Sequence, residues 1–253
     1  MGNSVVNERI QKYLARKGFG SRREIERALA AGKIRHHHGV YGLGDKVKTD
    51  DVVIIANKTI RVTDAESSVR VIAYHKREGE ISSRSDPQQR PTIMDALPRI
   101  VDGRWKSVGR LDINTTGLIL FSNDGELVNL LMHPGSMIER QYLCRIQGCP
   151  TQLQLDQLRK GVVSDNETLQ FNRIERERAN KSNHWFNITL THGKNREIRR
   201  AFEVLGYRVN RLKRIRYGPI RLPANLKPGQ TMELGQDQID MLRSCLPTKS
   251  KSA

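Results

Sequence analysis

Asp112 is the carboxylate whose setting most suggests chemistry. It stands in Gly109-Arg110-Leu111-Asp112, between basic and apolar neighbours and just ahead of the apolar run Gly117 to Phe121. An acid so placed could serve as a nucleophile or as a general base. A single Asp is more often a cap or turn residue, and local spacing does not separate the two. The second concentration is cationic: Lys194 to Arg221 holds 10 basic residues and 2 acids. Charge of one sign at that density suits a polyanion better than an ordinary solvated face. No Gly-rich phosphate loop, metal cluster or Ser/His/Asp arrangement can be assembled, so neither a cofactor nor a metal is expected.

The rest of the composition agrees with a polyanionic partner. The chain has 253 residues, 44 Lys and Arg against 27 Asp and Glu, and a net charge of +17. Residues 1–60 carry 12 basic and 6 acidic side chains, 61–150 carry 12 and 11, and 151–253 carry 20 and 10, so the excess sits at both ends. Nucleic acid is the partner this suggests. The length allows one to two domains. The longest apolar runs, Val52–Ala56 and Gly117–Phe121, fall far short of the roughly 18 residues a bilayer crossing needs, and no membrane partner is expected. Cys144, Cys149 and Cys245 are too few for a disulfide framework, and no export signal is read at the start of the chain. A reducing, cytoplasmic location fits.

Elements can then be placed around these residues. Ile10, Leu14 and Ala15 share a helical face, and Ser21-Arg22-Arg23-Glu24 is a capping box that predicts a helix burying Ile25, Ala28 and Leu29 and ending at Gly32. Arg22 and Arg23 in its first turn oppose the helix dipole but suit a phosphate, which suggests binding rather than stability. Asp51–Ile55 reads as a short buried strand. Residues 61–70 fit a hinge. Beyond it, Val69, Val71 and Ala73 alternate as a strand, and Leu118–Phe121 suits a strand buried on both faces. Asn123-Asp124-Gly125 opens a helix through Met132 with Leu127, Leu130 and Leu131 inward. Arg140–Ile146 and Trp185–Leu190 are strand-like. Ile198, Ala201, Phe202 and Leu205 then line a helix closed by Gly206. Trp105 and Trp185 read as core or rim residues.

Residues 6 to 62 resemble the S4 RNA-binding domain, through Arg9–Leu14, Ser21–Glu24 and Gly44-Asp45-Lys46-Val47. His36-His37-His38 departs from that family's usual turn. Adjacent positions in an extended chain cannot all face one ion, so the triplet reads as an exposed or RNA-facing loop. Residues 109–125 are similar to the signature of the ribosomal RNA pseudouridine synthases, in the branch that joins the A-type small-subunit enzymes to the B-type large-subunit enzymes. Supporting blocks are Glu78–Glu80, Arg90–Thr92, Glu139–Tyr142, Gly193–Arg200 and Arg214–Gly218. Glu78-Gly79-Glu80 and Asn195–Arg200 are most similar to the large-subunit members, which implies a uridine of 23S rRNA.

The resemblance implies an α+β protein. An S4-like domain, residues 1–62, would precede a catalytic domain, residues 63–253, with a mixed, mainly antiparallel sheet and a central cleft. It implies uridine isomerisation to pseudouridine, which gains and loses no atom. Asp112 would act on the ribose as nucleophile or base, Tyr142 would stack on the uracil, Arg199 would pair with Asp112, and Ile198 would supply an apolar wall. A carboxylate in a pocket dried by a base is pushed towards its inert protonated form by up to about 3–5 units, and an adjacent guanidinium recovers roughly 1–3. Arg199 is therefore expected to hold Asp112 charged and aimed. Flipping the nucleotide out leaves a gap that Arg110 would fill, while Lys194, Arg196 and Arg200 would contact phosphate.

Three other classes compete: a non-catalytic RNA-binding or ribosome-assembly protein, a synthase acting on 16S rRNA, and a basic DNA-binding regulator. The last lacks any helix-turn-helix or zinc-finger text.

Overall fold

The computed structural model describes residues 6–63, 68–101, 103–179 and 183–247. Of the hinge expected over 61–70, residues 64–67 lie outside the described residues. Two compact units emerge: residues up to 69 with 99–106 and 123–125, and residues 70–98, 107–122 and 126 onward.

In the first unit β1 (Asn7–Arg9) leads into α1 (Ile10–Arg16) and α2 (Arg22–Ala30). β2 (Ile34–His36), β3 (Gly39–Val40), β4 (Lys46–Lys48), β5 (Val52–Ile55) and β6 (Lys58–Arg61) follow. The capping box forms as the sequence predicts, with the Ser21 hydroxyl accepting from the Glu24 amide and the Glu24 carboxylate accepting from the Ser21 amide. Ile25 and Leu29 join Ile10, Tyr13, Leu14, Ile34 and Val53 in one core, and Ala28 is only partly buried at its margin. Past α2, Gly32 takes φ +64° and the Lys33 amide returns to the Ala28 carbonyl, stopping the helix. The strands order β3-β2-β5-β6, and β1 pairs with β4. His36 packs edge-on to Tyr41, centroids 4.9 Å apart, which gives one member of the histidine triplet a packing role.

The second unit is built on β7 (Val71–Lys76), β8 (Lys106–Ser107), β9 (Thr116–Ser122), α3 (Gly125–Met132), β10 (Arg140–Gln147) and α4 (Gln152–Lys160). It continues with β11 (Val162–Ser164), β12 (Glu167–Leu169), β13 (Arg173–Ala179), β14 (Asn183–Leu190) and α5 (Glu197–Val204). β15 (Arg208–Tyr217), β16 (Ile220–Arg221), β17 (Thr231–Glu233) and α6 (Gln236–Ser244) complete it. The main sheet runs β13-β14-β10-β15-β9-β7-β17, with β16 on β15 and β8 on β9. Among the described residues of this sheet only β15 and β9 pair in parallel, so the sheet is mixed and mainly antiparallel, as expected. Among the described residues no helix is long and apolar enough to cross a membrane.

Two expectations change in detail. β7 begins at Val71 and does not alternate: all six residues are buried, so both faces of the strand are covered. In α3 the inward residues are Leu127, Val128 and Leu131, while Leu130 is 37% exposed. The i, i+1, i+4 stripe wins over the i, i+3, i+4 one. The backbones of β9 and β15 approach closely at Gly117, where φ is +104° and a Cβ would lie 2.2 Å from the Arg214 carbonyl oxygen. Only glycine lets β9 and β15 meet there.

Candidate active site

Asp112 lies in the connection between β8 and β9, and its loop is pinned from several sides. Ser82 Oγ donates to the Leu111 carbonyl at 2.7 Å and accepts from the Leu111 amide at 3.2 Å. The Asp112 carbonyl accepts from the Thr115 amide at 3.0 Å, closing a turn, and the Ile113 carbonyl accepts from the Gly79 amide at 2.9 Å. Lys76, fully buried at the end of β7, donates from Nζ to the Arg77, Ile113 and Thr115 carbonyls. Burial pushes the Lys76 ammonium down to about 8, against the attraction of Glu80, Asp112 and Glu78.

Arg199 comes to the same loop from α5. It is buried, donating from one Nη to the Asn114 carbonyl at 2.9 Å and from the other to the Val209 carbonyl at 2.8 Å. The ion pair with Asp112 that the resemblance implies is not formed: among the described residues no cation lies within 4.0 Å of that carboxylate. The guanidinium holds the turn two residues further on. Burial lowers its affinity for the proton, as does Arg196, and the attraction of Asp112 opposes both.

Asp112 opens onto a cavity of about 650 Å³. Tyr142, on the face of β10 that meets it, is 9% exposed and pairs with Ile188 of β14 and Arg214 of β15. Ile198, 3% exposed at the start of α5, gives an apolar wall. The rim is cationic, with Arg110 and Arg196 exposed and Lys194 half-buried. Lys194 Nζ donates to the Thr168 carbonyl at 2.6 Å, and its amide donates to the Glu197 carboxylate at 3.1 Å. Burial pushes the Glu197 carboxyl up, and the Lys194 amide resists this.

Arg200 departs from expectation. Its guanidinium pairs with Glu167 at 2.7 Å and Asp165 at 3.2 Å and donates to the Ser164 carbonyl, so its charge is neutralised within the fold and does not face the cavity. Arg22 and Arg23 are exposed in the first turn of α2, in the other unit.

Three further cations shape the site and escape a reading of the sequence. Lys76 gives no signal beyond a charge in an apolar stretch. Arg140 and Arg214 sit in the quoted blocks without an assigned role. Arg140 donates to the Thr191 and His192 carbonyls, fixing the loop that carries Lys194. Arg214, 2% exposed, donates from Nε to the Leu118 carbonyl at 2.7 Å and lies against the Tyr217 ring.

A cation-rimmed cavity on a mixed sheet, with the carboxylates of Asp112 and Glu197 and the phenols of Tyr142 and Tyr217 in its wall, is the equipment of an enzyme that handles a base and its sugar on a polyanion. Comparison with known proteins gives the family. Residues 70–204 match the model of RNA pseudouridylate synthases and residues 8–53 match that of the S4 domain, and the chain belongs to the RNA pseudouridylate synthase family. It is 44% identical over 239 residues to the ribosomal large subunit pseudouridine synthase B of Pseudomonas aeruginosa, covering 94% of this chain and 62% of that protein. It is 43% identical over 252 residues to the protein of the same name from Salmonella typhimurium, covering 98% of this chain and 87% of that one. A solved structure described as a crystal structure of pseudouridylate synthase shares the fold, with a TM-score of 0.64 at 22% identity over 92% of this chain and 99% of that chain.

Proposed function

We propose that this protein isomerises a uridine of large-subunit (23S) ribosomal RNA to pseudouridine, with residues 1–62 as an S4-type RNA-binding domain and 63–253 as the catalytic domain. The observation that carries the reading is Asp112 in the wall of the cavity, on a loop whose carbonyls are gripped by Lys76 and Arg199. The names of the relatives at 43–44% identity supply the RNA. The N1–C1′ bond breaks, the base turns, and a C5–C1′ bond forms. N1 ends with a proton, the C5 proton leaves to solvent, and the overall composition is unchanged, so the chemistry calls for no cofactor. A ribosomal RNA substrate would put the protein in the cytoplasm.

Asp112 acts on the ribose. Tyr142 and Ile198 sandwich the uracil once it has left the helix, an extrusion that costs a few kcal/mol. Arg110, exposed at the rim, takes the vacated place in the stack. Lys194 and Arg196 hold phosphates of the flipped strand. Arg199 is a positioning residue that keeps Asp112 aimed by fixing the turn behind it, and Arg22 and Arg23 add phosphate contacts from the S4-type unit.

The test is release of tritium from RNA labelled at C5 of uridine. Wild-type protein should release it, and Asp112→Asn should not while binding the same RNA with unchanged affinity. Modification persisting in Asp112→Asn would overturn the catalytic assignment.

A further inference from the structure

The sheet face turned away from the cavity carries a row of side chains that the catalytic reading leaves unused. Trp185 of β14 lies opposite Arg145 of β10, and Arg145 lies opposite Arg211 of β15. Two residues along the same strands, Asn187, Leu143 and Lys213 form a second row. Successive side chains on a strand point to opposite faces. Between these rows stand Phe186, Cys144 and Leu212, all buried on the cavity side, where Phe186 meets Phe202 of α5 and Leu212 lines the cavity. The helix therefore covers the other face. In the two outer rows Trp185, Arg145, Leu143, Asn187 and Lys213 are half-buried, and Arg211 is exposed.

Stability alone does not favour this arrangement. Arg145 and Arg211 face each other directly across an antiparallel pair, where like charges destabilise. Glu175, opposite Asn187 on β13, pairs with Arg173 at 2.7 Å, and Glu139 pairs with Arg216. Among the described residues no carboxylate pairs with Arg145, Arg211 or Lys213. Among the described residues the buried Arg145 Nε and Asn187 Oδ1 have no hydrogen-bond partner. The Arg145 guanidinium lies over the Trp185 ring, 5.8 Å from its centroid. Trp185, expected from the sequence to be a core or rim residue, is half-buried on this face.

A half-buried aromatic flanked by cations that no carboxylate among the described residues neutralises is suited to an unpaired nucleic-acid strand, whose bases stack while its phosphates meet the charges. We propose that this outer face binds a single-stranded segment of the RNA substrate flanking the modified site, with a base on Trp185 and phosphates at Arg145, Arg211 and Lys213. The proposal rests on RNA being the substrate and adds a second site of contact, outside the cavity and outside the S4-type unit.

The test uses the full chain and its tryptophan fluorescence, titrated with a short oligouridylate. Quenching is expected in the wild type and should be lost in Trp185→Phe. In the double variant Arg211→Glu/Lys213→Glu, KM for an rRNA fragment with single-stranded flanks should rise about 10-fold, a size set by the loss of two phosphate contacts. Its kcat, and both constants on a minimal stem-loop, should be unchanged. Full quenching in Trp185→Phe, or an unaltered KM in the charge-reversed variant, would overturn the proposal. So would a poly-glutamate peptide that quenches Trp185 as strongly as the RNA, because the face would then dock protein. A wild type that isomerises no uridine would sink the catalytic reading instead, and the oligouridylate titration would still decide this one.

Discussion

Lys76 closes β7 with its ammonium lodged against the turn that follows Asp112, 3.2 Å from the Ile113 carbonyl and 2.9 Å from that of Thr115. A cation has been taken wholly out of water to hold backbone in place. Dehydrating an ammonium is costly, and the three carbonyls it reaches return part of that cost. The loop geometry behind the carboxylate is therefore coupled to a proton.

That coupling predicts opposite pH trends for activity and stability. The Lys76 proton is held to about 8, against an ordinary value of 10.5. Because the folded value is the lower one, the unfolded chain binds more protons between those limits, and stability from this group rises as pH climbs from about 8 towards 10.5. The neutral amine no longer grips the turn as strongly, so kcat should fall over the same limb. Urea unfolding and kcat measured from pH 7 to 10 check both trends. Lys76→Met should lose the alkaline limb and lower kcat by about 10–100-fold at pH 7 with RNA affinity unchanged. An alkaline limb near pH 8 that survives in Lys76→Met would assign it to another group.

What was legible in the chain, and what was not, follows from range. Local chemistry was readable: the Ser21–Glu24 capping box, the buried run of β9 and the Ile198-Ala201-Phe202 stripe all form as read. The mixed, mainly antiparallel sheet came from family resemblance, since the β15–β9 pairing joins residues about a hundred positions apart and leaves no periodic trace. The site was half legible. Asp112, Tyr142 and Ile198 do meet at one cavity, but Lys76 reaches the loop across 37 and 39 positions and Arg199 across 85. Arg200 illustrates the opposite failure. In sequence it is one more cation in a basic block, and only the fold shows Asp165 and Glu167 neutralising it.

Arg199 separates positioning from simple phosphate binding. Its two Nη groups span the Asn114 and Val209 carbonyls, a fork that one ammonium cannot reproduce. Arg199→Lys keeps the charge and should lower kcat about 100-fold, as small misplacements of a reacting group do. The RNA dissociation constant should stay within about twofold, since charge carries binding. Weaker binding with a normal single-turnover rate would reverse the assignment.

Gly117 tests whether the sheet core and the site are one structure. Alanine there would set a methyl 2.2 Å from the Arg214 carbonyl at a φ of +104°. β9 and β15 must part to accept it, at a cost of about 3 kcal/mol or more, the range of the largest single-site effects. Arg214 and its pairing partner Tyr142 should shift with β15, so activity should fall together with the melting temperature. A Gly117→Ala protein with an unchanged melting temperature would contradict this close approach.

Arg22 and Arg23 give a prediction in which stability and function move in opposite directions. Both are exposed in the first turn of α2, where cations oppose the helix dipole. Reversing both to Glu should therefore raise stability, by about 0.3–1 kcal/mol for each dipole interaction corrected. The same reversal removes two phosphate contacts. It should weaken RNA binding and flatten the dependence of log affinity on log salt by about 1.4–1.8, at roughly 0.7–0.9 per phosphate. Thermal melts and RNA titrations at several salt concentrations read the two effects separately. A double reversal that lowers the melting temperature, or leaves the salt slope untouched, would show that these arginines serve the fold and that the RNA is held elsewhere.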